Sequence, residues 1–198
     1  MAARNRLKAR MSRHADHAKT AAAAPNSTMA LDMSALEAAR HDISRGAITP
    51  FHSAWRAETI ALLNGALATE WVCVLRYRRH HFTAAGMASP KIAEEFLVHA
   101  NEELGHADRL ARRIVQLGGA PDFAPDSLLA RSHAAYDDSP GLKGMIRANL
   151  VAERVAIEAY SQMIALVGTR DSTTRRLLED ILADEQAHAE ELSDWLAE

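Results

Sequence analysis

The sequence predicts an all-α fold: a four-helix bundle with a long crossover between its second and third helices. Three observations carry that reading. Alanine is abundant, aromatic residues are 5% of the chain and glycines number 9, a composition that favours helix over sheet. Apolar residues recur at steps of three and four through four long stretches. Glycine and proline divide those stretches into two closely linked pairs, with one much longer link between the pairs.

Residues 1 to 33 read as a basic, flexible arm. Within positions 1 to 19, Arg4, Arg6, Lys8, Arg10, Arg13 and Lys19 stand against Asp16 alone, a net charge of about +5 with histidines neutral. Such an arm can bind the phosphates of DNA. Its Arg-rich, acid-poor start also has the composition of an organelle transit peptide. Residues 34 to 52 read as a short helix, over 34 to 45, followed by a linker with Gly46 and Pro50.

The bundle itself is expected over residues 53 to 198. Its first helix runs from about Ser53 to Ala85 and stops at Gly86. The second opens with Ser89 as N-cap and Pro90 at the first helical position, and ends at Gly118-Gly119. Ser139-Pro140 gives the third helix the same opening, and Gly168 ends it. The fourth starts around Ser172. Short links make each pair an antiparallel hairpin, whereas the link over residues 119 to 138, with Pro121 and Pro125, is long enough to cross the length of a bundle.

The remaining composition excludes several classes. The formal net charge of −3 implies no global attraction to nucleic acid or anionic lipid. Cys73 stands alone, which rules out an internal disulfide and fits a reducing cytosol. No uninterrupted apolar run reaches the roughly 20 residues of a membrane span. A cytoplasmic protein with no membrane partner is expected.

The inward seams hold the chemistry. They read Leu63, Leu67, Glu70, Val74, Tyr77; then Ile92, Phe96, His99, Glu103, His106, Leu110, Ile114, Leu117. The third and fourth read Ile146, Leu150, Glu153, Ile157, Tyr160, Ile164, Val167 and Leu178, Ile181, Glu185, His188, Leu192, Trp195. Each seam is apolar except near its middle. The phrases NEELGHADRL (101 to 110) and ADEQAHAEEL (183 to 192) both contain Glu-x-x-His, then Ala and an acid. Glu70 precedes Glu103 by 33 positions, Glu153 precedes Glu185 by 32, and a tyrosine follows each of Glu70 and Glu153 by seven. The chain therefore repeats one helical hairpin.

An ionised carboxylate in an apolar core is costly unless neutralised. Two divalent cations balance four carboxylates, and a Glu and His three apart on one helix reach the same metal region. One Glu from each of two helices plus Glu-x-x-His from the other two is a di-iron or di-manganese arrangement. Elsewhere, His80 and His81 read as surface residues at a helix end, His99 as a core histidine, and Cys73 as a buried thiol.

Through LNGALATEWVCVLRY, NEELGHADR, LVAERVAIEAY and ILADEQAHAEEL, residues 53 to 197 resemble the ferritin-like superfamily, most of all bacterioferritins and bacterioferritin-like mini-ferritins. The resemblance implies a ferroxidase centre for two iron ions at Glu70, Glu103, His106, Glu153, Glu185 and His188, with manganese or zinc as substitutes. It gives Glu103 and Glu185 bridging roles, Glu70 with His106 to one ion, and Glu153 with His188 to the other. Leu104 stands where haem-binding bacterioferritins carry methionine, so no haem is expected. Ten residues follow His188, too few for the fifth helix of large cages, so a homo-oligomeric dodecamer is expected over a 24-mer. The implied activity is Fe(II) oxidation by O2 or H2O2 with Fe(III) storage in the cage. Its rivals are a non-storage di-iron or di-manganese peroxidase or oxygenase, and a DNA-protecting mini-ferritin; the cysteines of a rubredoxin module are absent.

Overall fold

The computed structural model describes residues 30–87 and 89–197. The basic arm therefore lies, up to residue 29, outside the described residues. Residues from Ala35 onward form one compact unit. All regular elements among the described residues are helical: α1 Met33–Ala38, α2 Arg56–Thr83, α3 Ser89–Gln116, α4 Leu128–Arg131, α5 Leu142–Val167 and α6 Ser172–Ala197. The four long helices pair as α2 with α3 and α5 with α6.

Several boundaries differ from expectation for local reasons. The short N-terminal helix stops at Ala38, because Asp42 adopts a left-handed φ of 53° and a separate 3-10 turn follows at Ile43–Arg45. Ser89 lies inside α3 and its hydroxyl turns back to the Gly86 carbonyl at 2.6 Å, so it does not cap the helix. Nor does Ser139 cap α5: its N–H is taken by the Asp137 carboxylate at 2.8 Å, and Gly141, at φ 79°, sets the entry instead. Asp171 serves α6, accepting the Thr174 N–H at 3.0 Å while both its oxygens accept from Arg113 Nη2 at 2.9 and 2.8 Å. The expected stop at Gly118-Gly119 is present. Their N–H groups reach back to Val115 (2.8 Å) and Ile114 (2.9 Å), closing a Schellman turn, and a Cβ on Gly118 would meet Ile48 at 2.6 Å.

The crossover runs along α2 and contains the unforeseen turn of helix α4. Asn64 of α2 accepts the Asp122 N–H at 2.8 Å, and Thr69 accepts the His133 N–H at 2.9 Å. Gly65 allows the approach, since a Cβ there would meet the His133 ring at 3.2 Å.

Two apolar layers flank the middle of the bundle. One gathers Leu63, Leu67, Leu110, Ile114, Leu178 and Ile181; the other gathers Tyr77, Phe96, Met145, Ile146 and Leu192. Each fully buried leucine or isoleucine contributes about 1.5–3 kcal/mol. On α2 the first layer precedes Glu70 and the second follows it, and on antiparallel α3 the order reverses about Glu103. The α5 seam departs from expectation: Leu150, Ile157 and Ile164 are only half-buried, while Asn149, Ala156 and Met163 face the core. By length and composition alone α2 could cross a membrane, but over half of that stretch is buried in the bundle and Glu70 and Arg76 lie within the helix, which marks it as a core helix.

Candidate metal centre

Between the apolar layers the structure brings together all six sequence-predicted residues. Glu70 comes from α2, Glu103 and His106 from α3, Glu153 from α5, and Glu185 and His188 from α6; none is more than 6% exposed. They form two overlapping donor sets. Glu70, Glu103, His106 and Glu185 have ligand atoms within 4.8 Å of one another, and so do Glu103, Glu153, Glu185 and His188. Glu103 and Glu185 belong to both.

Each imidazole points its Nδ1 inward. His106 Nδ1 lies 3.2 Å from Glu103, 3.2 Å from Glu185 and 3.4 Å from Glu70. His188 Nδ1 lies 3.6 Å from Glu103 and 4.0 Å from both Glu153 and Glu185. The outer nitrogens are held across the bundle in a swapped pattern: His106 Nε2 by Asp184 at 3.1 Å, His188 Nε2 by Glu102 at 2.8 Å. The tyrosines are swapped too. Tyr77 of α2 donates to Glu153 of α5 at 2.5 Å, and Tyr160 of α5 donates to Glu70 of α2. Carboxylate partners of this kind fix a ligand histidine's tautomer and ring plane.

Sequence reasoning did not assign Asp184 and Glu102 this role. The signal was present, since each acid immediately precedes a glutamate shared by the two donor sets, Glu103 or Glu185. The acids that follow each histidine, Asp108 and Glu190, are exposed. Contrary to expectation, His80 is fully buried, because the last turns of α2 are covered by Phe96 and the α5 side of the core, while His81 is half-buried with Nδ1 2.7 Å from the Ala93 carbonyl. His99 is a core histidine as expected. It stacks on His188 at 4.2 Å and bridges Tyr77 Oη and Glu191, each at 3.1 Å.

The protonation pattern follows from packing four carboxylates into one dry layer. Burial, then the neighbouring Glu103, pushes Glu70 above the usual carboxylate range. Burial and the charges of Glu103, Glu70 and Glu153 do the same to Glu185. Burial opposes ionisation of Glu103 as well, but hydrogen bonds from His106 and His188 outweigh it and hold that carboxyl low. Burial alone would lower both histidines; hydrogen bonds to Glu103 and other carboxylates override it and raise His106 to about 11 and His188 to about 9. Protons thus hold together a site whose own charge is strongly negative.

Several of its atoms make no hydrogen bond despite these close approaches: Glu70 Oε2, Glu103 Oε1, Glu153 Oε2, both Glu185 oxygens and His188 Nδ1. Buried polar atoms are rarely left so. Two divalent cations between the two donor sets would satisfy them and replace the protons, so the residues fit a dinuclear centre of oxygen and imidazole ligands. A surface opening of about 300 Å³ between α3 and α6, lined by Glu95, His99, Glu102, Asp184, His188 and Glu191, leads to the outer side of the His188 imidazole.

A bundle with this crossover and this carboxylate–histidine layer defines the class of dinuclear-metal carboxylate helical proteins. The Ferritin-like domain family matches residues 60–198, and the chain belongs to that family. It is 30% identical over 134 residues to a bacterioferritin of Desulfovibrio desulfuricans, covering 67% of this chain and 71% of that protein. The solved bacterioferritin of Desulfovibrio desulfuricans, described with its diiron site, superposes with a TM-score of 0.64 at 27% identity, covering 72% of this chain and 80% of the other. A dodecameric thioferritin from Bacteroides fragilis, a bacterioferritin-related protein, gives a TM-score of 0.69 at 30% identity, with 72% and 86% covered.

Proposed function

We propose that the protein is a ferroxidase that stores iron in a homo-oligomeric cage. The observation that carries this reading is the buried layer of six donors, with atoms that make no hydrogen bond facing one another. Two Fe(II) ions are the substrates. Each gives up one electron, and O2 takes two electrons and two protons to become H2O2; with H2O2 as oxidant the products are two water molecules. Manganese or zinc fits the same donors, whose carboxylates also suit the hard Fe(III) product.

The chain's own groups divide the work. Glu103 and Glu185 bridge, Glu70 and His106 complete one ion's shell, and Glu153 and His188 complete the other's. Tyr160 and Tyr77 fix the terminal carboxylates, and Asp184 and Glu102 fix the imidazoles. The acidic mouth between α3 and α6 admits Fe(II) beside the His188 imidazole. Leu104 offers no ligand to haem iron, and the protein works without haem.

Assembly has support of two kinds. Leu129, Val151 and Leu166 are 62%, 57% and 54% exposed on the crossover and α5, apolar area that a neighbouring subunit would cover. The Bacteroides fragilis relative is a dodecamer, the cage size preferred here. Light scattering on the purified protein should give a dodecamer's mass; a monomer or dimer would instead fit a peroxidase or oxygenase without storage. The site itself is tested by Glu103→Ala, which should abolish rapid Fe(II) oxidation in stopped flow. Oxidation at the wild-type rate by the variant would remove Glu103 from the centre. DNA binding belongs to the basic arm, and deletion of residues 1 to 24 should eliminate any low-salt gel shift.

A further inference from the structure

His99 of α3 lies outside the dinuclear layer, is 2% exposed, and lines the mouth between α3 and α6. The hydrogen bonds around its ring fix which nitrogen is the donor. The Tyr77 hydroxyl has one proton, and Glu153 takes it at 2.5 Å. Tyr77 is held in place: it is completely buried, with the guanidinium carbon of the equally buried Arg76 5.5 Å from its ring centre. In the 3.1 Å contact between His99 Nδ1 and Tyr77 Oη, the imidazole N–H therefore donates and the hydroxyl oxygen accepts. That leaves the lone pair of His99 on Nε2, which faces another acceptor, Glu191 Oε2, at 3.1 Å. Two acceptors so placed need a proton or a metal ion between them. A histidine that donates through one nitrogen and turns the other towards carboxylates has the arrangement of a metal ligand.

The surroundings suit a cation. Glu95, Glu102 and Glu191 line the same opening, and ligand atoms of His99, Glu102 and His188 lie within 4.8 Å of one another. His188 cannot complete a donor set here, because its Nδ1 faces the dinuclear layer and its Nε2 is held by Glu102 Oε2 at 2.8 Å. That bond leaves Glu102 Oε1 for an ion. Asp184 is already shared between His106 Nε2 at 3.1 Å and Arg109 at 3.6 Å. The internal repeat breaks at each of the other donors: His99, Glu191 and Glu95 correspond to Ile181, Arg109 and Leu177 in the exchanged hairpin. The Glu70 half is built without them, so the dinuclear layer does not account for their convergence on one side.

We propose that His99 Nε2, Glu102 and Glu191, with Glu95 at the rim, form a site for a third divalent metal ion, outside the dinuclear layer. One imidazole with two or three carboxylates suits Fe(II) or Zn(II). The opening of about 300 Å³ has room for the ion and its remaining waters, at about 30 Å³ each. The Glu102 and Glu191 side chains are 49% and 41% exposed, so the site is weaker than the buried layer and fills after it. That the ion is Fe(II) in transit to the layer rests on the proposed ferroxidase function; that these donors hold a divalent metal does not.

Crystals of the full chain grown with Zn(II) in excess should show, at the zinc edge, an anomalous peak about 2.0–2.1 Å from His99 Nε2, separate from those in the layer. Calorimetric titration with Zn(II) should show the same ion as a weaker event after the layer has filled. His99→Leu should remove both the peak and the weak event and leave the layer's ions in place. Glu191→Gln, at the exposed rim where folding is not at stake, should do the same. Peaks in the layer alone would leave a proton between His99 and Glu191 and overturn the proposal. A mouth peak that survives either substitution is an adventitious ion on surface acids, and overturns it too. An occupied mouth beside an empty layer would instead uphold the third site and refute the dinuclear reading.

Discussion

The two halves of the polar layer use the same donors in different surroundings. Glu70 with His106 and Glu153 with His188 are related by exchanging the hairpins, and their tyrosine and acid partners exchange with them. One step outward the likeness ends. His99, four residues before Glu103, has Ile181 as its counterpart before Glu185. Arg76 and His80 correspond to Ala159 and Met163, and Asn149 corresponds to Ala66. The Glu153 half therefore borders a cation and a histidine relay, while the Glu70 half borders hydrocarbon. The repeat dictates which atoms can hold metal, and the unrepeated neighbours set what each half costs to charge.

The two halves should respond most strongly to loss of Glu70 or Glu153, the glutamate that each donor set does not share. Glu70→Ala and Glu153→Ala should each reduce Zn(II) or Co(II) binding from about two ions per subunit to about one. Isothermal titration calorimetry measures that stoichiometry directly. Two ions retained by either variant would show that its glutamate is not a terminal ligand. Next in size are the outer partners. Asp184→Asn should weaken the His106 half, and Glu102→Gln the His188 half, by about 10–100-fold in metal affinity. Equal weakening of both halves by either substitution would dissolve the swapped assignment.

Without metal, the two halves should differ in their response to pH. His106 and His188 both have native values above their ordinary 6.5, at about 11 and about 9. Native protein then binds more protons than unfolded protein above pH 6.5, so this stabilisation is complete below that point and declines as pH rises. The His188 half should lose it near pH 9 and the His106 half near pH 11. Glu103 acts in the opposite direction: its lowered value stabilises above the ordinary carboxylate range and is lost on acidification. Metal-free protein should therefore melt lower at pH 9 than at pH 6.5. Zn(II)-loaded protein should change less, since the metals rather than protons hold the layer. A flat profile for the metal-free protein would contradict the protonated histidine pair.

Much of this was legible in the sequence because the signal was periodic and duplicated. Glu70, Glu103, Glu153 and Glu185 interrupt apolar seams at matching depth, so the layer could be placed from spacing alone. The crossover path followed from the length of its link. What escaped were features set by tertiary contacts. His80 looked like a surface residue because it stands near a helix end, yet Phe96 covers it. Leu150, Ile157 and Ile164 fit the apolar period of α5, but the buried face is rotated towards Asn149, Ala156 and Met163. Arg76 gave no signal, since arginine in a long helix is ordinarily exposed. The caps of α3 and α5 failed because Ser-Pro favours a helix start without fixing the residue at which backbone donors become free.

The smallest predicted effect concerns whether the two tyrosine bonds are independent of what lies behind them. Tyr160 donates to Glu70 and has no histidine behind it, whereas Tyr77 donates to Glu153 and also meets His99, which continues to Glu191. Removing either hydroxyl leaves a buried carboxylate oxygen with one donor fewer, which costs about 1–3 kcal/mol in the metal-free protein. His99→Leu makes the Glu153 half resemble its Ile181 counterpart. In that background, Tyr77→Phe should cost less or more than in wild type by about 0.5–3 kcal/mol, because the two residues share a hydrogen bond. Tyr160→Phe and His99→Leu share no partner, and their effects should add to within about 0.5 kcal/mol. Urea denaturation of the metal-free single and double variants measures both cycles. Equal coupling in the two would mean that the layer responds as one body, and that the difference between its halves stops short of the hydrogen bonds to Glu70 and Glu153.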